Sequence, residues 1–329
     1  MTKIKDVAAH AGVSTATVSR VLNDHPRVDP VLAERVRAAA AELGYRTNGV
    51  ARSLRRQRAD VWALIISDIG NPFFTSVARG VEDVAQRAGY SVVLCNSDEN
   101  PAKEARYVDV AERERVSGVI LSPNARGSDL APLTRANIPV VAVDRTMRGT
   151  DAVLVDSRGG ARAATEHLFD CGWTRPACVT GPEGTGTADE RLAGYEEAVL
   201  AHGRRAARPL VRRGDFRAET AREGVASLLD ERRPPDAFFV ANSPMALGAL
   251  DEFRRRGLRP GRDVGLIAFD DAPWARFVDP PMSVVAQPGY EMGASAGELL
   301  LARIAGTAPV RRRRIVLDTE LIVRASSRH

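Results

Sequence analysis

Residues 4–23 read IKDVAAHAGVSTATVSRVLN, and the placing of apolar, small and hydroxyl side chains in this stretch decides how the chain begins to fold. Ile4, Val7 and Ala8 recur at helical spacing and make one apolar stripe. Ala11-Gly12-Val13 interrupts it, and glycine accepts the left-handed backbone that a tight turn between helices needs. Ser14 is a good N-cap for a second helix whose inward residues are Val18, Val21 and Leu22. Gly12 falls four residues after Ala8 and six before Val18, so the two helices can cross closely with the small Ala8 at the contact. That is the spacing of a helix-turn-helix. A third helix, from about Pro30 to Leu43, supplies Leu32, Val36, Ala39, Ala40 and Leu43 to close a small core.

Charge separates this module from the rest of the chain. Residues 1–58 hold eleven Lys/Arg against five Asp/Glu, a net of +6, and the remainder of the 329 residues carries −1. A compact basic module on a near-neutral body is the electrostatic footprint of nucleic-acid binding. The second helix is then the one that reads DNA. Thr15, Ala16, Thr17, Ser19 and Arg20 face outward near its start. Arg20 has the forked donors for a guanine O6/N7 contact. Ser14, Thr17 and Asn23 suit phosphate contacts that fix orientation.

These residues carry a resemblance. Ile4–Ala8, Gly12–Asn23, Leu43-Gly44-Tyr45 and Val50-Ala51-Arg52-Ser53-Leu54-Arg55 together resemble the lactose/galactose repressor family, and the similarity of pattern runs over essentially the whole chain. The resemblance implies a hinge helix at Asn48–Arg56, with Leu54 as a wedge in the minor groove beside its dimer mate. A lone leucine flanked by Arg52, Arg55 and Arg56 is a poor core element and a reasonable groove insert.

Beyond Arg58 the period changes. Short runs rich in β-branched residues recur at Val61–Ile66, Ser91–Leu94, Gly118–Leu121, Val140–Val143 and Val153–Val155. A second series lies at Ala177–Val179, Ala237–Val240, Val264–Phe269 and Ser283–Ala286. Amphipathic stretches such as Phe73–Ala88, Gly160–Phe169, Arg191–Ala201 and Met245–Arg256 separate most of them. Alternating strands and helices mean parallel sheets covered on both faces, and two clusters mean two lobes. The expected fold is an all-α helix-turn-helix headpiece with a hinge helix, then a two-lobed α/β core with parallel sheets. The resemblance implies a core like a periplasmic sugar-binding protein, crossed three times by the chain. The expected divisions are headpiece 1–46, hinge 47–58 and core 59–329, with lobe 1 at 59–156 and 288–316 and lobe 2 at 157–287 and 317–329.

Sheets of this kind bind ligands at the carboxyl ends of their strands. The candidates there are Asn71, Phe73, Phe74, Ser122, Asp144, Arg191, Phe216, Asn242, Asp270 and Gln287, with Asp68 beside them. Carboxylates and amides suit vicinal hydroxyls, Arg191 donates in fixed geometry, and Phe74 or Phe216 can cover an apolar ring face. The resemblance implies effector contacts from Asp144, Arg191, Asn242 and Asp270, the effector being commonly a sugar. Asn242-Ser243 stands where many relatives have Asn-Asp. The glycine-rich Gly181–Thr187 lacks a lysine after its glycines and is not a nucleotide-binding P-loop. Arg311–Arg314 reads as a solvated connection before a strand at Ile315–Leu317.

Other classes fit poorly. Five histidines and the absence of G-x-S-x-G, H-E-x-x-H or a spaced Cys/His set give no frame for an enzyme, a metal site or a cofactor. No apolar run is long enough to span a membrane, and the polar N-terminus is unlike a signal peptide. Cys95, Cys171 and Cys178 sit in or beside apolar runs, as in a reduced, cytoplasmic protein. One recognition helix reads few base pairs, so the expected partners are a pseudo-palindromic double-stranded operator, a second copy of the chain in a homodimer or higher oligomer, and a small sugar.

Overall fold

A computed structural model describes residues 2–22, 28–45, 59–124, 127–202 and 210–329. Two units are distinct, divided between Ala59 and Asp60. In the first, α1 (Ile4–His10), α2 (Thr15–Leu22) and α3 (Pro30–Glu42) enclose Val7, Ala8, Ala11, Val18, Val21, Ala33, Val36, Ala39 and Ala40. Gly12 takes φ +63° at the turn between α1 and α2, where a β-carbon would be strained. Ser14 Oγ accepts the Thr17 amide at 3.1 Å and so caps α2. Asp29 Oδ1 accepts the Leu32 amide at 3.0 Å, and Pro30 follows it at the start of α3. The helix-turn-helix is therefore as the sequence indicates, although Leu32 and Leu43 are only half-buried.

The second unit contains two six-stranded sheets. The first has β1 (Ala59–Ile66), β2 (Ser91–Asn96), β3 (Val116–Leu121), β4 (Val140–Val143), β5 (Asp151–Val155) and β11 (Arg314–Leu317), in the order β11-β5-β4-β3-β1-β2. The second has β6 (Pro176–Thr180), β7 (Val211–Arg213), β8 (Ala237–Val240), β9 (Gly265–Phe269), β10 (Ser283–Ala286) and β12 (Glu320–Ile322), in the order β12-β10-β9-β8-β6-β7. The ladders are parallel except at the edge strand β12, which runs antiparallel to β10. The chain leaves the first sheet after β5, returns from the second after β10, and crosses a third time between β11 and β12.

Strand alternation builds both faces of each sheet. In β1, Trp62, Leu64 and Ile66 meet α4 (Pro72–Arg87) and α11 (Gly289–Ile304), while Ala63 and Ile65 meet α5 (Pro101–Arg113) and the short helix α6 (Ala131–Arg135). Such near-continuous burial is what a sheet covered on both faces requires. In the second lobe, α7 (Ser157–Asp170) packs on α8 (Gly186–Ala201), and α9 (Ala218–Leu229) on α10 (Ser243–Arg256). Each fully buried Leu, Ile or Phe in these layers contributes about 1.5–3 kcal/mol, so the framework around the strand ends is rigid. Among the described residues no helix is long and apolar enough to cross a membrane.

Candidate functional site

Between the lobes the strand ends border a cleft with about 470 Å³ of space free of protein atoms, part of it open solvent. The first lobe lines it with Asp68, Asn71, Phe73, Phe74, Glu99, Asp144 and Arg145. The second contributes Thr187, Arg191, Asp215, Phe216, Arg217, Asn242, Asp270 and Gln287. Nine of the ten sequence candidates therefore come together here. Ser122 does not: its buried hydroxyl bonds Ser67 Oγ at 2.8 Å inside the first lobe. Arg191 lies within α8, which begins at Gly186, so the glycine-rich loop is shorter than the sequence suggests.

The polar groups form a connected network across the cleft. Asn71 caps α4 by accepting the Phe73 amide at 3.0 Å, and its Nδ2 donates to Asp270 Oδ2 at 3.2 Å in the other lobe. Ser243 Oγ donates to Asn71 Oδ1 at 3.4 Å, and its amide donates to Asp270 Oδ2 at 3.3 Å. Gln287 Nε2 donates to the remaining Asp270 oxygen. Asn242 caps α10 through the Met245 amide at 2.9 Å and donates to Phe216 O at 3.2 Å. Asn71 and Asn242 thus each cap a helix and also stand on the cavity wall.

Arg191 is buried, stacked 3.9 Å above the Phe269 ring, and donates to Ala241 O at 2.6 Å. Its Nε has no partner among the described residues. Burial holds its pKa below the ordinary arginine value, against the pull of Asp270 and Asp144. Asp144 is its counterpart across the cleft: burial raises the pKa of this carboxyl, and Arg145 and Arg191 only partly offset the effect. Arg145 pairs with Glu99 through Nη1 at 2.9 Å and lies 5.5 Å from the Phe216 ring centroid.

Backbone strain concentrates at the same place. Glu99, Asp144, Phe216 and Asp270 all have positive φ, at 53°, 66°, 67° and 74°. Non-glycine residues adopt this region at a cost, and it persists where the surroundings enforce it, typically at ligand sites. Phe216 is placed by Gly181: a β-carbon on Gly181 would lie 2.2 Å from a Phe216 ring carbon.

The sequence reading missed Glu99, Arg145, Thr187, Asp215 and Arg217. Two had an available signal, since Arg145 follows Asp144 directly and Glu99 follows the end of β2. β2 continues past Leu94 through Cys95 to the polar Asn96, which closes the apolar run without closing the strand earlier.

On α2, Thr15, Ala16 and Arg20 are exposed, and Thr17 and Ser19 are half-buried. Ser14 is exposed but committed as a cap, its Oγ 2.9 Å from Thr17 Oγ1. Asn23, Arg52, Leu54 and Arg55 lie outside the described residues, as does the hinge segment.

A helix-turn-helix followed by a two-lobed core with a polar inter-lobe cavity defines a ligand-binding transcription regulator. Residues 3–48 match the model of bacterial regulatory proteins of the lacI family, and residues 165–327 match the periplasmic binding protein-like domain. The chain is 37% identical over 329 residues to the ribose operon repressor of Halalkalibacterium halodurans, covering 100% of this chain and 98% of that one. It is 33% identical to the transcriptional repressor CytR of Escherichia coli, over 99% of this chain and 96% of the relative. Among solved structures, the lac repressor dimer bound to operator and the anti-inducer ONPF superposes with a TM-score of 0.84 at 27% identity, over 100% and 99% of the two chains. A CelR–cellobiose complex gives 0.74 at 33% identity, over 99% and 100%. The protein belongs to the LacI family of bacterial transcription regulators.

Proposed function

We propose that this regulator is a cytoplasmic repressor whose grip on operator DNA is set by a small, neutral sugar held between the lobes of its core. The observation that carries this reading is the cavity itself, walled from both lobes by carboxylates, amides and a guanidinium around aromatic rings. Asp144, Asp270, Asn242, Gln287 and Arg191 take the ligand hydroxyls, and Phe73, Phe74 and Phe216 cover its apolar face. Asp68, Glu99, Asp144, Asp215 and Asp270 outnumber Arg145, Arg191 and Arg217, which favours an uncharged polyol over a phosphorylated one. A relative solved with cellobiose supports the same class.

In the DNA-reading unit, Arg20 contacts a guanine, Thr15 and Ala16 meet base edges, Ser14, Thr17 and Asn23 hold phosphates, and Ser19 lies on the same outward face. Residues 1–46 form the headpiece and 47–58 the hinge, with Leu54 as the wedge between Arg52 and Arg55. The core, 59–329, pairs with a second copy so that two headpieces meet a pseudo-palindrome. Because the ligand joins the lobes, its binding energy shifts the balance between core conformations, and the hinges transmit that shift to the operator. The protein is a binding device and not an enzyme.

A thermal-shift screen over mono- and disaccharides, polyols and nucleobases tests the ligand class. A binder at 100 times its Kd adds about 2.7 kcal/mol to stability. Stabilisation by a neutral sugar that also changes operator affinity meets the proposal. Stabilisation by nucleobases alone, or by no compound while the operator is still bound, contradicts it.

A further inference from the structure

The first sheet has a charge asymmetry whose basic half neither the operator reading nor the cleft uses. Its described ladders are parallel, so the strands begin on one edge and end on the other. They end at the cleft, where Asp68, Asp98, Glu99, Asp144 and Asp156 follow β1, β2, β4 and β5. They begin on the opposite edge, where β1 starts at Ala59, the last residue of the DNA-reading unit. The segments entering the strands on that edge carry Arg113 and Arg115 before β3, Arg135 before β4, Arg148 before β5 and Arg311–Arg314 at β11. All eight are exposed, and none makes an ion pair with a described residue. Asp60, Glu112 and Glu114 are the acids among them. In the second lobe Arg158, Arg222, Arg255 and Arg256 are each held by an acid within 3 Å, while Arg232 and Arg233 are exposed and make no ion pair with a described residue.

The largest group is fixed in place. Arg303 Nε and Nη2 bind the buried Asp151 at 2.6 and 2.8 Å, and Arg303 Nη1 donates to Pro309 O at 2.6 Å. Asp151 Oδ1 also accepts the Arg313 amide at 2.7 Å. A buried, bidentate ion pair thus anchors the backbone of a loop whose four arginine side chains are left in solvent.

We propose that this arginine rim is a second DNA-contacting surface, which grips phosphates flanking the operator without reading bases. The inference rests on the operator-binding reading above. Strand order places β11, β5, β4 and β3 side by side, so the arginines span roughly 14 Å at the usual strand spacing of about 4.8 Å. A duplex alongside presents a phosphate charge about every 1.7 Å of its axis, enough to engage several guanidinium groups at once.

The test compares the full-length protein with the triple variant Arg311→Gln, Arg312→Gln, Arg313→Gln. Operator affinity is measured against salt on two duplexes, one limited to the footprinted operator and one with flanks of about ten base pairs. The wild type should bind the flanked duplex more tightly. The variant should lose that gain, and its log Kd against log salt should flatten by about 0.9 for each phosphate contact removed. Identical slopes and identical length dependence in the two proteins would overturn the proposal. So would a gain from flanks that survives in the variant. Sequence-selective binding by the wild type is scored separately, so failure of the operator reading is distinguishable. An unchanged melting temperature and ligand response in the variant shows that the core is intact.

Discussion

Gly181→Ala probes how the cavity is roofed. The backbone at Gly181 is not in the left-handed region, so alanine suits it, and the perturbation is purely the added methyl. That methyl would lie 2.2, 2.3 and 2.7 Å from three atoms of the Phe216 ring. Ordinary contact begins near 3.4 Å, so the ring must retreat by about 1.2 Å or more. Phe216 is 8% exposed, has φ +67°, and its carbonyl accepts the Asn242 amide, so it cannot move freely. Overpacking of this kind costs about 1–3 kcal/mol. Spent on the ligand-bound state, that is about fivefold to 150-fold in affinity. Calorimetry with the sugar found by screening should show a loss in that range, with operator binding in the absence of ligand retained. Wild-type sugar affinity in Gly181→Ala would refute the placing of Phe216 over the ligand.

Three further outcomes are expected. Burial raises the Asp144 pKa, so protonation favours the ligand-free fold, and this contribution is lost as pH rises from the ordinary carboxylate range through the folded value. Asp144→Asn, neutral at every pH, should therefore raise the melting temperature at pH 7 while weakening sugar binding; a lower melting temperature would mean that the Arg145 and Arg191 attractions dominate. Arg20→Ala should cost about 1–3 kcal/mol on the operator and relax preference at one symmetric pair of positions, as base-by-base competition would reveal; uniform weakening on all sequences would make Arg20 a phosphate anchor. Leu54→Ala should weaken operator binding far more than binding to random DNA, and equal losses in a gel-shift comparison would remove the wedge.

The sequence was most legible where one residue type has one physical use. Gly12, Ser14, Val18 and Val21 specify the turn, cap and inner face of the helix-turn-helix almost without context. Strands buried on both faces announce themselves as apolar runs, Gly265–Phe269 over its whole length and Val116–Leu121 from Gly118 onward, past the polar Ser117. Edge strands do not: Val211–Arg213 and Glu320–Ile322 are three residues long and half polar, so only their sheet partners define them. Strand-end position found nine cavity residues, because topology alone delivers those side chains to the cleft. It failed for Ser122, where a local partner, Ser67, outcompetes the cavity. It also missed Arg145 and Arg217, whose placing depends on acids from distant segments, Glu99 and Asp98.

The central claim, that a ligand in the cleft governs the operator, is tested most directly by titrating operator binding with the sugar in the wild type, Asp270→Ala and Arg191→Ala. Asp270 gathers Asn71, Ser243 and Gln287, and Arg191 spans Ala241 O and Phe269. Truncating either leaves buried partners unpaired, at about 1–3 kcal/mol or more. The sugar should shift wild-type operator affinity, and both variants should need roughly ten to a hundred times more of it for the same shift. Their operator affinity in the state that favours DNA should match the wild type. A wild-type response to sugar in both variants would contradict the account, and so would loss of operator binding in variants that remain folded.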